Sequence, residues 1–164
     1  MNKNIEKIID EMNYCRKNNQ CISAMALAFM LIDACSKAKY PSEYRNKIRF
    51  TDWWGEYISS SIRLSGDMIY ALRCNFVHQA TNFSQTEMTD GNKNEFLYEF
   101  IIDYSREPNE YEIYCDEISY DETNCVYTIN PQRFCFVIEQ CVKGFLKEID
   151  DSAFDFMKYT IKGI

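Results

Sequence analysis

Residues 21–35 read CISAMALAFMLIDAC, an apolar run with a single charged side chain. Its apolar residues cover every side of a helix, and a helix of this kind lies at the centre of a protein rather than on its surface. The helical pattern spans 20–39, and Pro41 ends it. We therefore expect a buried central helix in which Asp33 has a polar partner, because burying an unpaired carboxylate is costly.

Further helices are predicted on both sides of this run. Apolar residues recur at helical spacing in 4–17, and a shorter helix is predicted over 51–60. Trp53 and Trp54 lie on it, and adjacent tryptophans are more often part of the core than a platform for stacking nucleobases. A fourth helix is predicted over 67–80, with Ser65 as its N-cap and Asp67 in its first turn.

The C-terminal third contains two more helix signals. Asn130 followed by Pro131 predicts a cap and a first-position proline. Ser152 and Asp155 have the spacing of a capping box, which predicts a last short helix ending near Ile161.

Between these helical regions the sequence changes in character. The polar stretch 81–94 is predicted to be a loop, and it leads into FLYEFIIDY, YEIYCDEISY and CVYTI, which are rich in aromatic and β-branched residues. We predict a small three-stranded antiparallel β insertion over about 95–129. The 164 residues then form a single, mainly α domain, with a helical core from 1–80 and 131–162.

The formal net charge of −7 is unevenly distributed. Residues 1–80 hold 11 Lys/Arg and 8 Asp/Glu, whereas residues 81–164 hold 7 and 17. Ten carboxylates lie between Glu95 and Glu122, with Arg106 as the only cation there. Any nucleic acid that the protein binds would therefore have to contact the N-terminal half, or a dimer groove lined by it. The acidic 95–122 segment is either a docking site for a regulatory protein partner or a solvated surface.

Cysteine usage and hydropathy bear on location and cofactors. The eight cysteines form no CxxC pair, and the charged N-terminus MNKNIEKIIDEMNYC lacks a signal-peptide core. The longest apolar run, 24–32, is shorter than the roughly 20 residues of a membrane span. We expect a cytoplasmic protein with reduced cysteines in its core, no metal, no cofactor and no membrane contact.

The predicted fourth helix carries the residues with the most chemistry. His78 is the only histidine in the chain, and Arg73 precedes it by five positions. Arg73 falls within the apolar arc that contains Ile69, Leu72 and Phe76. On the same helical wheel, His78 is rotated by roughly 140° from Arg73. A structural interpretation pairs Arg73 with Asp33 and places His78 at the helix end, beside the last carbonyls.

The residues from Arg73 to His78, RCNFVH, fit an RxxxxH motif, and the whole phrase YALRCNFVHQ resembles the motif helix of a bacterial and plasmid-borne subgroup of the HEPN family. The resemblance covers roughly 1–80, including the buried helix and the SGD before the motif. The helix after Pro131 is consistent with the C-terminal helix of a HEPN bundle. The resemblance implies an antiparallel helical bundle, to which the segment 95–129 would be an addition.

The resemblance to the HEPN family also implies a metal-independent endoribonuclease that acts on RNA as a homodimer. The motif helices of two copies would form one groove, with Arg73 and His78 as catalytic residues and Asn75 and Asp33 supporting them. Products would carry a 2′,3′-cyclic phosphate and a 5′-hydroxyl, and bacterial defence or toxin–antitoxin biology is the implied setting. The alternative is a non-catalytic HEPN module that binds RNA, a nucleotide or a protein, since fold does not determine activity.

Overall fold

A computed structural model of the chain describes residues 2–62, 64–79, 86–89, 95–102, 115–121 and 124–157. The protein is mainly helical. Five α-helices lie within the described part of the chain: α1 (Lys3–Lys17), α2 (Cys21–Lys39), α3 (Asn46–Tyr57), α4 (Gly66–Gln79) and α5 (Pro131–Phe145). Four strands lie between α4 and α5, namely β1 (Thr86–Thr89), β2 (Glu95–Ile102), β3 (Cys115–Asp121) and β4 (Asn124–Ile129), and a 3₁₀ helix (Asp151–Met157) follows α5.

Helix α2 is the centre of the fold, as its uninterrupted apolar sequence predicts. It packs against α1, α3, α4, α5 and the 3₁₀ helix. Met25, Ala28, Phe29, Leu31 and Ile32 are all completely buried. The helix is also long and apolar enough to cross a membrane, with a mean hydropathy of 1.6. That property is weak evidence for a span, because 61% of the helix's apolar window is buried inside this protein.

Two predicted helix caps are confirmed. The Ser65 hydroxyl accepts a hydrogen bond from the Met68 backbone N–H at 3.2 Å, at the start of α4. The Asn130 side chain accepts one from the Arg133 N–H at 3.0 Å, and Pro131 opens α5. These caps were predictable because both the acceptor and the donor belong to the same short segment.

Two predictions about helix ends are wrong. Helix α3 begins at Asn46 rather than at residue 51, because Phe50 joins the core as a completely buried residue of its first half. The predicted Ser152 capping box does not form: the Asp150 carboxylate accepts from the Ser152 N–H at 2.8 Å, and a 3₁₀ helix begins at Asp151. The predicted end near Ile161 lies outside the described residues.

The prediction of a three-stranded antiparallel insertion, in which consecutive strands pair as a meander, is also wrong. The four strands lie in the order β1-β2-β4-β3, and β2 pairs with β4 in parallel. A meander would place β3 between its sequence neighbours, but β4 occupies that position and pairs antiparallel with β3. Strand β1 lies within the stretch predicted to be a loop and pairs antiparallel with β2. Parallel pairing needs a crossover connection, and strand patterns alone do not specify one.

Both tryptophans of α3 are completely buried. The Trp54 indole N–H donates to the Leu64 carbonyl at 2.8 Å, so it holds the segment before α4 against α3. The Trp53 ring stacks on Tyr57 and meets Phe145 edge to face. The preference for a core role is confirmed, because neither ring has a face open to a nucleobase.

Cysteines contribute small apolar side chains to the core, as expected. Cys35 and Cys135 are completely buried and have free thiols. Burial raises the pKa of the Cys135 thiol to about 12, so this group stays protonated and unreactive.

Candidate functional site

Helix α4 presents the RxxxxH motif as one continuous helix, so Arg73 and His78 are held in a fixed backbone relation. Its first turn approaches α3 closely at Gly66. A Cβ atom on Gly66 would lie 2.9 Å from the Thr51 Cα and 3.0 Å from the Thr51 carbonyl oxygen. Glycine is therefore required for this contact, which positions the start of α4 against α3.

Arg73 forms an ion pair with Asp33, which reaches it from α2. Its Nε–H and Nη2–H groups donate to the same Asp33 oxygen, Oδ2, at 3.0 and 2.6 Å. The Arg73 side chain is 14% exposed and that of Asp33 is 31% exposed. The structural pairing predicted for these two residues is confirmed, and it joins α4 to the central helix.

The surroundings of Arg73 keep its guanidinium charged. Burial opposes the charged form, but the hydrogen bonds and negative charge of Asp33 outweigh it, so the pKa of Arg73 lies above its usual value. The guanidinium carbon is 5.9 Å from the centre of the Tyr70 ring, and Nη1 is 3.9 Å from the Cys74 sulfur. The cation is held on one side of α4 by carboxylate, ring and sulfur together.

Among the predicted site residues whose side chains are described, the structure brings Arg73 and Asp33 into direct contact. Asn75 lies half-buried on the same helix, two positions after Arg73. His78 lies in the last turn of α4, and its side chain is outside the described part of the chain. Among the described residues, no group of three or more His, Cys, Asp and Glu side chains is placed to hold a metal ion.

Sequence reasoning missed a pocket that adjoins the ion pair. Asp33 lines a cavity of about 390 Å³, together with Lys37 from its own helix and Arg49 from α3. The spacing of Asp33 and Lys37, four positions apart on α2, places them on one side of that helix and was a usable signal. Arg49 comes from a part of α3 that was not predicted to be helical.

The chain was also compared with known proteins. No family model matches it, and the searches of curated proteins and of solved structures give no match.

We expect the Asp33–Arg73 pair to contribute to stability through direct coupling. Asp33→Ala and Arg73→Ala should each lower the free energy of unfolding by about 1–3 kcal/mol, below the 3–5 kcal/mol typical of fully buried pairs because both groups are partly exposed. The free energy of unfolding lost by the double variant should be smaller than the sum of the two single losses by at least about 1 kcal/mol. Urea denaturation of all four proteins measures this, and simple additivity would contradict it.

Proposed function

We propose that the protein is a metal-independent endoribonuclease of HEPN type, which acts as a homodimer through α4. The observation that carries the proposal is the arrangement on this helix. Arg73 and His78 lie on one unbroken helix, and the guanidinium is oriented by a carboxylate from the central helix. An arginine held in this way is a preorganised donor for a phosphate.

The proposed reaction uses a neighbouring hydroxyl as the nucleophile. The ribose 2′-hydroxyl loses its proton, its oxygen attacks the adjacent phosphorus, and the bond to the 5′-oxygen breaks as that oxygen is protonated. Imidazole, with an ordinary pKa of about 6.5, can accept or donate a proton near neutral pH. His78 would move protons, Arg73 would stabilise the charge that develops on the phosphate, and Asn75 would orient the ring or the phosphate.

Two features support a shared site in a dimer. Each chain contains one histidine, so a groove that holds two Arg–His sets requires two copies. Ala71, Cys74 and Asn75 are half-buried side chains of small size on α4, and with position 78 they follow the i, i+3, i+4, i+7 spacing of one helix face. Small side chains allow a second helix to approach closely, as a twofold interface through α4 would need.

The experiment is incubation of the pure protein with mixed RNA in EDTA, followed by analysis of the product ends. We expect cleavage that survives chelation, with 2′,3′-cyclic phosphate and 5′-hydroxyl ends. A substrate carrying a single 2′-deoxynucleotide at a mapped cleavage position should be resistant there. Loss of cleavage in EDTA, or products ending in 3′-hydroxyl, would exclude this mechanism.

Mixed dimers test the composite groove. Arg73→Ala and His78→Ala proteins should each lose most of their activity, and mixing them should restore part of it if Arg73 of one copy works with His78 of the other. Wild-type protein diluted with either variant is the matched control for exchange of subunits. A mixture that exchanges subunits but stays inactive would contradict a site shared in this way.

A non-catalytic module that binds RNA, a nucleotide or a protein is the second candidate, and a specific observation favours it. Arg73 directs both its Nε–H and its Nη2–H to Asp33, which reduces what the guanidinium can offer to a phosphate. Under this alternative, RNA is bound but not cut. If the protein only binds RNA, Asp33→Asn should strengthen binding, because it frees Arg73. If the protein is an enzyme, Asp33→Asn should lower the rate of RNA cleavage, because Arg73 is no longer held in position.

The cellular setting is part of the proposal. We propose a cytoplasmic role in bacterial defence or as the toxin of a toxin–antitoxin pair. The segment 95–122, with ten carboxylates and one arginine, is proposed as the surface that a basic regulatory protein would bind.

A further inference from the structure

A pocket outside the motif helix has the composition of a ligand site. It has a volume of about 390 Å³ and is lined by residues of α1, α2, α3 and the 3₁₀ helix. Its volume falls within the roughly 300–1,000 Å³ that is usual for sites binding small molecules. The lining residues are Ile8, Met30, Asp33, Ala34, Lys37, Asn46, Arg49, Phe156 and Met157.

One side of this pocket is positively charged. Lys37 from α2 and Arg49 from α3 both line it, while the carboxylate of Asp33 is already paired with Arg73. Arg49 is held in place because its terminal nitrogens donate to the Glu43 carbonyl and to the Asn46 side chain. Two cations from separate helices, with one of them fixed in advance, favour an anionic group between them.

The other side of the pocket is apolar. Phe156 is 43% exposed and Met30 is 47% exposed, and both are large hydrophobic side chains that border the cavity. Ile8 and Met157 continue this wall. The Lys37 ammonium lies 4.4 Å from the centre of the Phe156 ring, so the charged and apolar sides meet at that ring.

We propose that this pocket binds a small organic anion, in which one phosphate or carboxylate group is joined to a flat apolar ring system. The anionic group would lie between Lys37 and Arg49, and the rings would cover Phe156 and Met30. Removing those apolar surfaces from water provides a driving force that an inorganic ion cannot supply. The proposal does not depend on ribonuclease activity.

The position of Asp33 links this pocket to the motif helix. Asp33 lines the pocket and also accepts two hydrogen bonds from Arg73. A ligand bound beside Asp33 therefore changes the electrostatic surroundings of Arg73, and the ¹⁵N–¹H signal of the Arg73 Nε–H group reports it. That signal is assigned by its loss in Arg73→Lys.

The experiment is calorimetric titration of the full chain with 1-naphthyl phosphate, 1-naphthoate, 1-naphthol and inorganic phosphate. We expect at least one naphthyl anion to bind, and naphthol and inorganic phosphate to bind at least about tenfold more weakly. Comparing the affinities of 1-naphthyl phosphate and 1-naphthoate shows whether the pocket prefers a phosphate or a carboxylate group. The Arg73 Nε–H signal should shift on saturation.

Substitutions of lining residues test whether the ligand binds in this pocket. Lys37→Gln removes an exposed cation and should weaken binding by about tenfold, the loss expected for one charge-assisted hydrogen bond. Met30→Gln tests the apolar wall at a second exposed position and should also weaken it. Lys147→Gln, at an exposed lysine after α5, is the matched control and should have no effect.

Four results would overturn the proposal. These are no detectable binding of either naphthyl anion at millimolar concentration, equal binding of naphthol, equal losses in Lys37→Gln and Lys147→Gln, and binding that leaves the Arg73 signal unmoved. Failure of RNA cleavage would not bear on any of them, because the titration contains no RNA.

Discussion

In the ribonuclease proposed above, we expect His78→Ala to lower the rate of RNA cleavage in EDTA by about 10²–10⁴-fold, the usual contribution of a general acid or base. The reason is that the chain has no second histidine to take over proton transfer at neutral pH. Binding of RNA should change much less, because the neutral imidazole is not needed for attraction to the phosphate backbone. Single-turnover rates and filter-binding affinities measured on the same protein separate the two effects.

The dependence of the cleavage rate on pH distinguishes a catalytic histidine from a structural one, because replacing a structural histidine would leave that dependence unchanged. Wild-type activity should depend on pH as a general acid or base changes its protonation state, and the residual activity of His78→Ala should lose that dependence. Gln79→Ala alters the next position of the same helix, outside the RxxxxH pattern, and is the matched control. If His78→Ala retains a wild-type rate and circular dichroism spectrum, His78 has no catalytic role.

We expect Trp54→Ala to lower the free energy of unfolding by about 3–5 kcal/mol, the cost typical of removing a buried aromatic ring. Its indole is completely buried and stacks near Phe134 of α5, with 6.4 Å between ring centres. It also ties α3 to Leu64, just before α4 begins. The motif helix should therefore lose its fixed position together with the core.

The neighbouring tryptophan provides a matched control for the hydrogen bond. Trp53 is equally buried, but its indole N–H has no hydrogen-bond partner among the described residues. Trp54→Phe should therefore cost about 1–3 kcal/mol more than Trp53→Phe, because it leaves the Leu64 carbonyl without its donor. Guanidinium denaturation of both variants measures the difference. Equal losses would mean that the Leu64 contact adds nothing to stability.

Features that depend on neighbouring residues in the chain were predictable from sequence. The central position of α2 followed from its uninterrupted apolar surface, because only burial on all sides removes such a helix from water. The caps at Ser65 and Asn130 followed because a side-chain oxygen and the N–H three residues later form a local pair. The pairing of Arg73 with Asp33 is a long-range exception, 40 positions apart, which followed from the cost of leaving a buried charge without a partner.

Tertiary contacts decided the rest. The parallel pairing of β2 with β4 depends on the path of the connecting chain, which strand-forming residues do not encode. The start of α3 was set by the burial of Phe50, and the pocket arose because α1, α2, α3 and the 3₁₀ helix leave a space between them. Residues close in sequence are paired by backbone geometry alone, whereas Lys37, Arg49 and Phe156 come together only when whole helices pack.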